Sequence, residues 1–89
     1  MANHRSAAKR HRQSLKRRAR NTAIKSSIKT AIKKVRESIA RGDRETAEKQ
    51  LRAVASKLDS AVSKGVLHRN NASRRIGRLA RAVHSVQAS

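Results

Sequence analysis

The chain has 89 residues, carries 24 Lys or Arg against 5 Asp or Glu for a formal net charge of +19, and lacks aromatic residues, Cys and Pro. That composition bounds it to one small domain, residues 1–89, with an aliphatic core and no disulfide frame, zinc-ligand set or aromatic platform for stacking bases. The basic N-terminus is not followed by an apolar signal segment, and no stretch approaches the ~18 apolar residues of a membrane span.

The charge is laid out in blocks. Residues 1–36 hold thirteen cations and no acid, residues 37–63 hold five of each sign, and residues 64–89 hold six cations and no acid. Blocks of this kind point to a surface for a polyanion rather than to general solubility. The first block divides in two. Residues 5–21 contain one large aliphatic residue, Leu15, and no Gly or Pro, so they can form a helix but have almost nothing to bury. Within them Arg5, Lys9, Arg12, Lys16 and Arg20 recur at three or four, which makes a ridge on a helix, while Arg10, Arg17 and Arg18 cover other sides. Residues 24–39 add an apolar stripe, Ile24, Ile28, Ala31, Ile32, Val35 and Ile39. Arg10, Gln13, Ser14, Arg17 and Asn21 extend that face backwards in polar form. Lys25, Lys29 and Arg36 continue a basic flank beside it. The spacing predicts one helix from about Arg5 to Arg41, its inner half packed and its outer half, about residues 1–21, projecting as a basic arm. Like charges at i,i+4 oppose helix in the unbound arm, so helix is expected to be gained on binding.

Gly42-Asp43 predicts a break, with glycine in the left-handed position and Asp43 capping the next helix. Glu45 follows in its first turn, where the helix dipole favours an anion. A second helix is predicted over 44–63 on the stripe Ala47, Leu51, Val54, Leu58 and Val62, with Ala55 and Ala61 beside it. Its polar side pairs internally, as Glu45–Lys49 and Glu48–Arg52. Lys64-Gly65-Val66 reads as a Schellman stop, Val66 and Leu67 as a plug for the bundle end, and Asn70 as the next N-cap. The third helix is predicted over about 71–87, with Ala72, Ile76, Leu79, Val83 and Val86 on one face, Arg74, Arg78 and Arg81 on the opposite one and Arg75 on the flank. Gly77 within it reads either as a point of close approach by a partner or as a tolerated exposed glycine. The fold class is all-α: a three-helix up-down-up bundle with a long basic N-terminal helix projecting beyond it.

A cationic rod with charge on several sides suits a crevice in nucleic acid. Without aromatics, recognition would run through phosphates and shape, with Ser, Gln and Asn as occasional polar readers and a steep salt dependence. Of the four histidines, His4 and His11 stand seven apart with nothing to supply a third metal ligand and no Cys in the chain, no glycine-rich phosphate loop is present, and every carboxylate side chain lies within residues 37–59. The reading is therefore no enzyme, no metal, no cofactor and no small-molecule substrate. His68, between Lys64 and Arg69, is expected to contact RNA or cap a helix. A DNA-compacting protein fits the composition too, although an apolar wedge for bending DNA is missing. A membrane-surface helix fits poorly, because the apolar face turns into Arg10, Gln13 and Arg17 along the basic segment.

The residues also carry a resemblance. Met1-Ala2-Asn3, Ser6-Ala7, Lys9-Arg10, Gln13-Ser14, Lys16-Arg17-Arg18 and Asn21, together with the run from Lys64 to Arg74 (KGVLHRNNASR), resemble the bacterial small-subunit ribosomal protein S-twenty family over the whole chain. The resemblance implies a three-helix bundle in the cytoplasmic ribosome that binds 16S ribosomal RNA directly. It implies a seat in the lower body of the 30S subunit against the 5′ domain and the penultimate stem, near other 30S components, and a part in early assembly. It carries RNA contact onto the arm residues and onto Lys64, His68, Arg69, Asn70 and Arg74. Arg75 and Arg78 join the expected surface from the helical pattern. Two positions depart from the family's habit: Ser73 stands where Ala is usual, and Ile76 where many members are basic.

Overall fold

The computed structural model describes residues 3–86 and, within them, the side chains from Ala7 onward. Three helices follow one another: α1 (Asn3–Ala40), α2 (Arg44–Ser63) and α3 (Arg69–His84). α1, with 38 residues, is about 57 Å long at ~1.5 Å per residue, nearly twice the length of the 20-residue α2. The molecule is correspondingly elongated, with principal extents of 69 × 21 × 13 Å.

Both connections end a helix in the same way. Gly42 and Gly65 each take φ of 74°. Gly42 donates its N–H to the Ile39 carbonyl at 3.0 Å and Asp43 to Ser38 at 2.9 Å; Gly65 donates to Val62 at 3.0 Å and Val66 to Ala61 at 2.9 Å. These are the paired bonds of a Schellman stop, a geometry that glycine reaches without a Cβ clash. Asp43 then starts α2 at once, its Oδ1 accepting from the Thr46 N–H at 3.2 Å. Hydrogen bonds from the Thr46 side chain and N–H, helped by nearby Arg41 and Lys49, hold the Asp43 carboxyl below its ordinary range.

α3 departs from the expected start. Its N-cap is His68 and not Asn70: the His68 Nδ1 accepts from the Asn70 N–H at 3.1 Å, and the helix begins two residues earlier than predicted. A ring nitrogen can supply the acceptor that Ser, Asp or Asn usually provides. At the other end α3 stops at His84, short of the predicted limit near 87. Val86 therefore lies beyond the helix and does not complete the α3 stripe; its carbonyl accepts from the Arg44 guanidinium at 3.4 Å, which ties the start of α2 to the chain after α3.

The core is small and wholly aliphatic apart from one serine. Ile28, Val35, Ala47, Val54, Leu58, Ala61, Ala72, Leu79 and Val83 are buried, and Ile24, Ala31, Ile32, Ile39, Leu51, Val62, Val66, Leu67 and Ile76 pack against them part-buried. The three predicted stripes thus meet, with Ile76 and the Val66-Leu67 plug contributing. The most extensive interface is α1 with α2, followed by α2 with α3. The serine escaped the hydrophobic pattern. Ser38 is fully buried on α1; it donates to the Gln50 Oε1 at 2.6 Å and accepts from Arg41 at 3.2 Å.

These cross-helix contacts fix the antiparallel register. Ser38 faces Gln50, and further along Ser27 accepts from the Lys57 ammonium at 2.5 Å. Continuing that register brings the end of α2 level with residues 21–25 of α1. Beyond that level every residue of α1 from Ala7 to Arg20 is exposed.

Candidate nucleic-acid interface

The arm presents its charge on most of its circumference. At ~100° per residue, Lys9, Lys16 and Arg20 fall within roughly 20° of one line and Arg12 about 60° from it, which makes the predicted ridge. Arg10 and Arg17 lie on the line that becomes the core face further along, and Arg18 lies on the opposite side from the ridge. All seven of these cations, with Gln13 and Ser14, are exposed. Arg5 and Ser6 belong to the same helix, but their side chains lie outside the described residues. Leu15, 49% exposed, is the single large apolar group on this surface among the described residues.

Asn21 marks where the arm meets the bundle. It is half-buried, and its Oδ1 is enclosed without a hydrogen-bond partner among the described residues.

Lys25 and Lys29 stand, exposed, on a flank of α1 beside its apolar stripe. They fall on the line of Arg18, and that line faces α3. There Lys25, Ile28 and Lys29 of α1 meet Leu67, Asn71 and Arg75 around a groove of about 310 Å³. The Arg75 Nε donates to the Asn71 Oδ1 at 2.8 Å, which ties the guanidinium to the lining of the groove. Two neighbouring cations of α1 and one of α3, distant from them in the chain, therefore share one cleft. The main ridge runs on toward Ser27 and Lys34, which line the α1–α2 groove with Lys57.

A second basic surface lies on the outer face of α3. Asn70, Ser73, Arg74, Gly77, Arg78 and Arg81 line a shallow depression of about 440 Å³. Arg81 completes this face; it was legible in the sequence at three residues from Arg78, yet it stood outside the expected RNA-binding residues. Asn71 was missed altogether, since nothing in its position announced that it would orient Arg75. Lys64, His68 and Arg69 are exposed around the α2–α3 connection. Capping uses the Nδ1 of His68, so only its Nε2 edge is available to a partner.

Among the described residues these cations lack acidic partners. The two ion pairs found there, Arg44–Glu48 at 3.1 Å and Glu45–Lys49 at 3.7 Å, both lie within α2. Glu48 thus pairs backwards with Arg44 and not forwards with Arg52 as the spacing suggested, because Arg44 is held at the bundle end by its second bond to the Val86 carbonyl. Both pairs keep their acids on the face of α2 itself. No helix among the described residues is long and apolar enough to cross a membrane, and among the same residues no three metal-ligating side chains come together.

Known proteins match the chain along its length. The family model for ribosomal protein S20 covers residues 2–84. The small ribosomal subunit protein bS20 of Oleidesulfovibrio alaskensis is 53% identical over 87 residues, spanning 98% of this chain and all of that relative. The bS20 of Nitratidesulfovibrio vulgaris strain Miyazaki F is 52% identical over 87 residues with the same coverage. That of Anaeromyxobacter dehalogenans strain 2CP-C is 54% identical over 82 residues, covering 92% of this chain and 89% of its own. An all-helical fold, an exposed basic arm and end-to-end similarity to these relatives agree, and the chain belongs to the ribosomal protein S20 family.

Proposed function

We propose that this chain binds 16S ribosomal RNA directly, through phosphate and shape contacts, and so helps assemble and stabilise the 30S subunit. Membership of the S20 family makes it a structural protein of the small ribosomal subunit and not an enzyme. The observation that carries direct RNA binding is the arm: from Ala7 to Arg20 a continuous helix has all its side chains exposed, seven of them cationic, and no acid among them. Such a helix repels itself in isolation and is stabilised when phosphates surround it.

On this reading the arm residues Arg5, Ser6, Lys9, Arg10, Arg12, Gln13, Ser14, Lys16, Arg17, Arg18, Arg20 and Asn21 enter one RNA crevice. The α1–α3 cleft with Lys25, Lys29 and Arg75, and the α3 side with Lys64, His68, Arg69, Asn70, Arg74 and Arg78, engage a second RNA segment. The two segments are assigned to the 5′ domain and the penultimate stem. α2, which carries the two ion pairs found among the described residues, faces away. Filter binding of deproteinised 16S RNA by a chain lacking residues 1–21 tests the reading. A lower affinity and a shallower salt dependence are expected, and an unchanged affinity and slope would sink it.

A further inference from the structure

Gly77 sits in the middle of α3, where glycine is the poorest non-proline helix former. No contact among the described residues requires it. Its backbone is helical, and a Cβ built there meets no atom within 4 Å. The position is therefore open, and the glycine weakens the free protein without any compensating contact inside it. Its surroundings point outward. Gly77 and Ser73, one turn apart, line both the basic depression with Asn70, Arg74, Arg78 and Arg81 and the neighbouring α2–α3 groove of about 530 Å³. Together they form a low saddle shared by two concavities, one of which Arg74, Arg78 and Arg81 line. Small side chains let another backbone come close to a helix, and arginines beside them can hold phosphates.

We propose that the sugar–phosphate backbone of RNA crosses α3 over this saddle, seated on Ser73 and Gly77 and held by Arg74, Arg78 and Arg81. Gly77 is then a positioning residue: its missing Cβ sets how closely the strand approaches. The inference rests on the reading of the α3 face as an RNA surface and adds the point of closest contact to it.

The test uses the full chain and deproteinised 16S ribosomal RNA. In Gly77→Ala the free protein should melt about 4–8 °C higher, the shift expected when a helix-interior glycine is replaced in a domain of this size. The same variant should bind RNA several-fold more weakly, and Gly77→Gln, with a longer side chain, roughly tenfold or more weakly, as steric overpacking of a close contact predicts. Opposite signs for stability and affinity are the signature, because a purely structural glycine would not separate them. Arg74→Gln with Arg78→Gln is measured alongside. If that pair weakens binding while both Gly77 variants bind like the parent, the saddle is refuted and the α3 surface stands. If neither change alters binding, both readings fall. A lower melting temperature for Gly77→Ala would also overturn the inference, since it would reveal a packing role within the chain.

Discussion

The arm ridge offers the most quantitative test of how this protein holds RNA. Lys9, Arg12, Lys16 and Arg20 are exposed, lie on one side of α1 and form no ion pair among the described residues. Replacing all four by Gln removes four charges while keeping helix propensity and length nearly constant. Each phosphate that the protein neutralises releases counterions and adds roughly 0.7–0.9 to the slope of log affinity against log salt. Taking away four such phosphate partners should make that slope shallower by about 3. Between 50 and 200 mM salt, the variant should then lose roughly sixty-fold less affinity than the parent does. The melting temperature should stay within what surface substitutions produce, because none of the four side chains helps to form the core. Filter binding of 16S RNA over a potassium chloride series gives both slopes directly. Lys49→Gln with Arg52→Gln on α2 is the control, and its slope should move by less than about 1. If the four-site variant keeps the parental slope, or if the control flattens it as much, the arm is not the phosphate-binding element.

Other consequences follow from the bundle. Leu58 is fully buried on α2, and Leu58→Ala should destabilise by about 2–5 kcal/mol in a thermal melt, a large part of what so small a core can supply. Ser38→Ala leaves Gln50 without its buried donor and should cost about 1–3 kcal/mol, whereas pairing it with Gln50→Leu should recover much of the loss; a double variant no better than the single one would contradict the assigned bond. Asp43 has its folded-state pKa lowered, so its contribution to stability is present above the unfolded carboxylate range and is lost as pH falls through the folded value. Asp43→Ala should therefore melt lower than the parent at neutral pH, and the gap should close in acid below about pH 4; Asp43→Asn, which keeps the cap oxygen, should show a smaller deficit. A peptide of residues 3–21 should be mostly non-helical in dilute buffer by circular dichroism and gain helix when RNA is added; no gain would contradict folding of the arm on its partner.

What the sequence determined by itself was the one-dimensional part of the problem. The three helices and the breaks between them followed from local chemistry: three- and four-residue spacing of Ile, Leu and Val, glycines able to take positive φ at 42 and 65, and Asp43 placed to cap. The arm was legible because a helix with no apolar face must leave its charges outside, whatever the rest of the chain does. The motifs at 1–21 and 64–74 carried the family as well. Tertiary structure decided what depends on neighbours from elsewhere in the chain. Ser38 stands on the α1 stripe three residues after Val35, but its polar type hid it; it is a core residue because Gln50 arrives opposite it with an acceptor. Glu48 turned back to Arg44 because the chain after α3 holds Arg44 in place. His68 displaced Asn70 as the cap because the loop brings its ring nitrogen over the Asn70 N–H. Lys25, Lys29 and Arg75 share a cleft only because α3 packs on one flank of α1, and the arm begins at Asn21 only because α2 ends level with it. Local propensity is written residue by residue, whereas register and interhelical packing are properties of pairs. The sequence therefore named most of the cations, and the bundle decided which of them stand together.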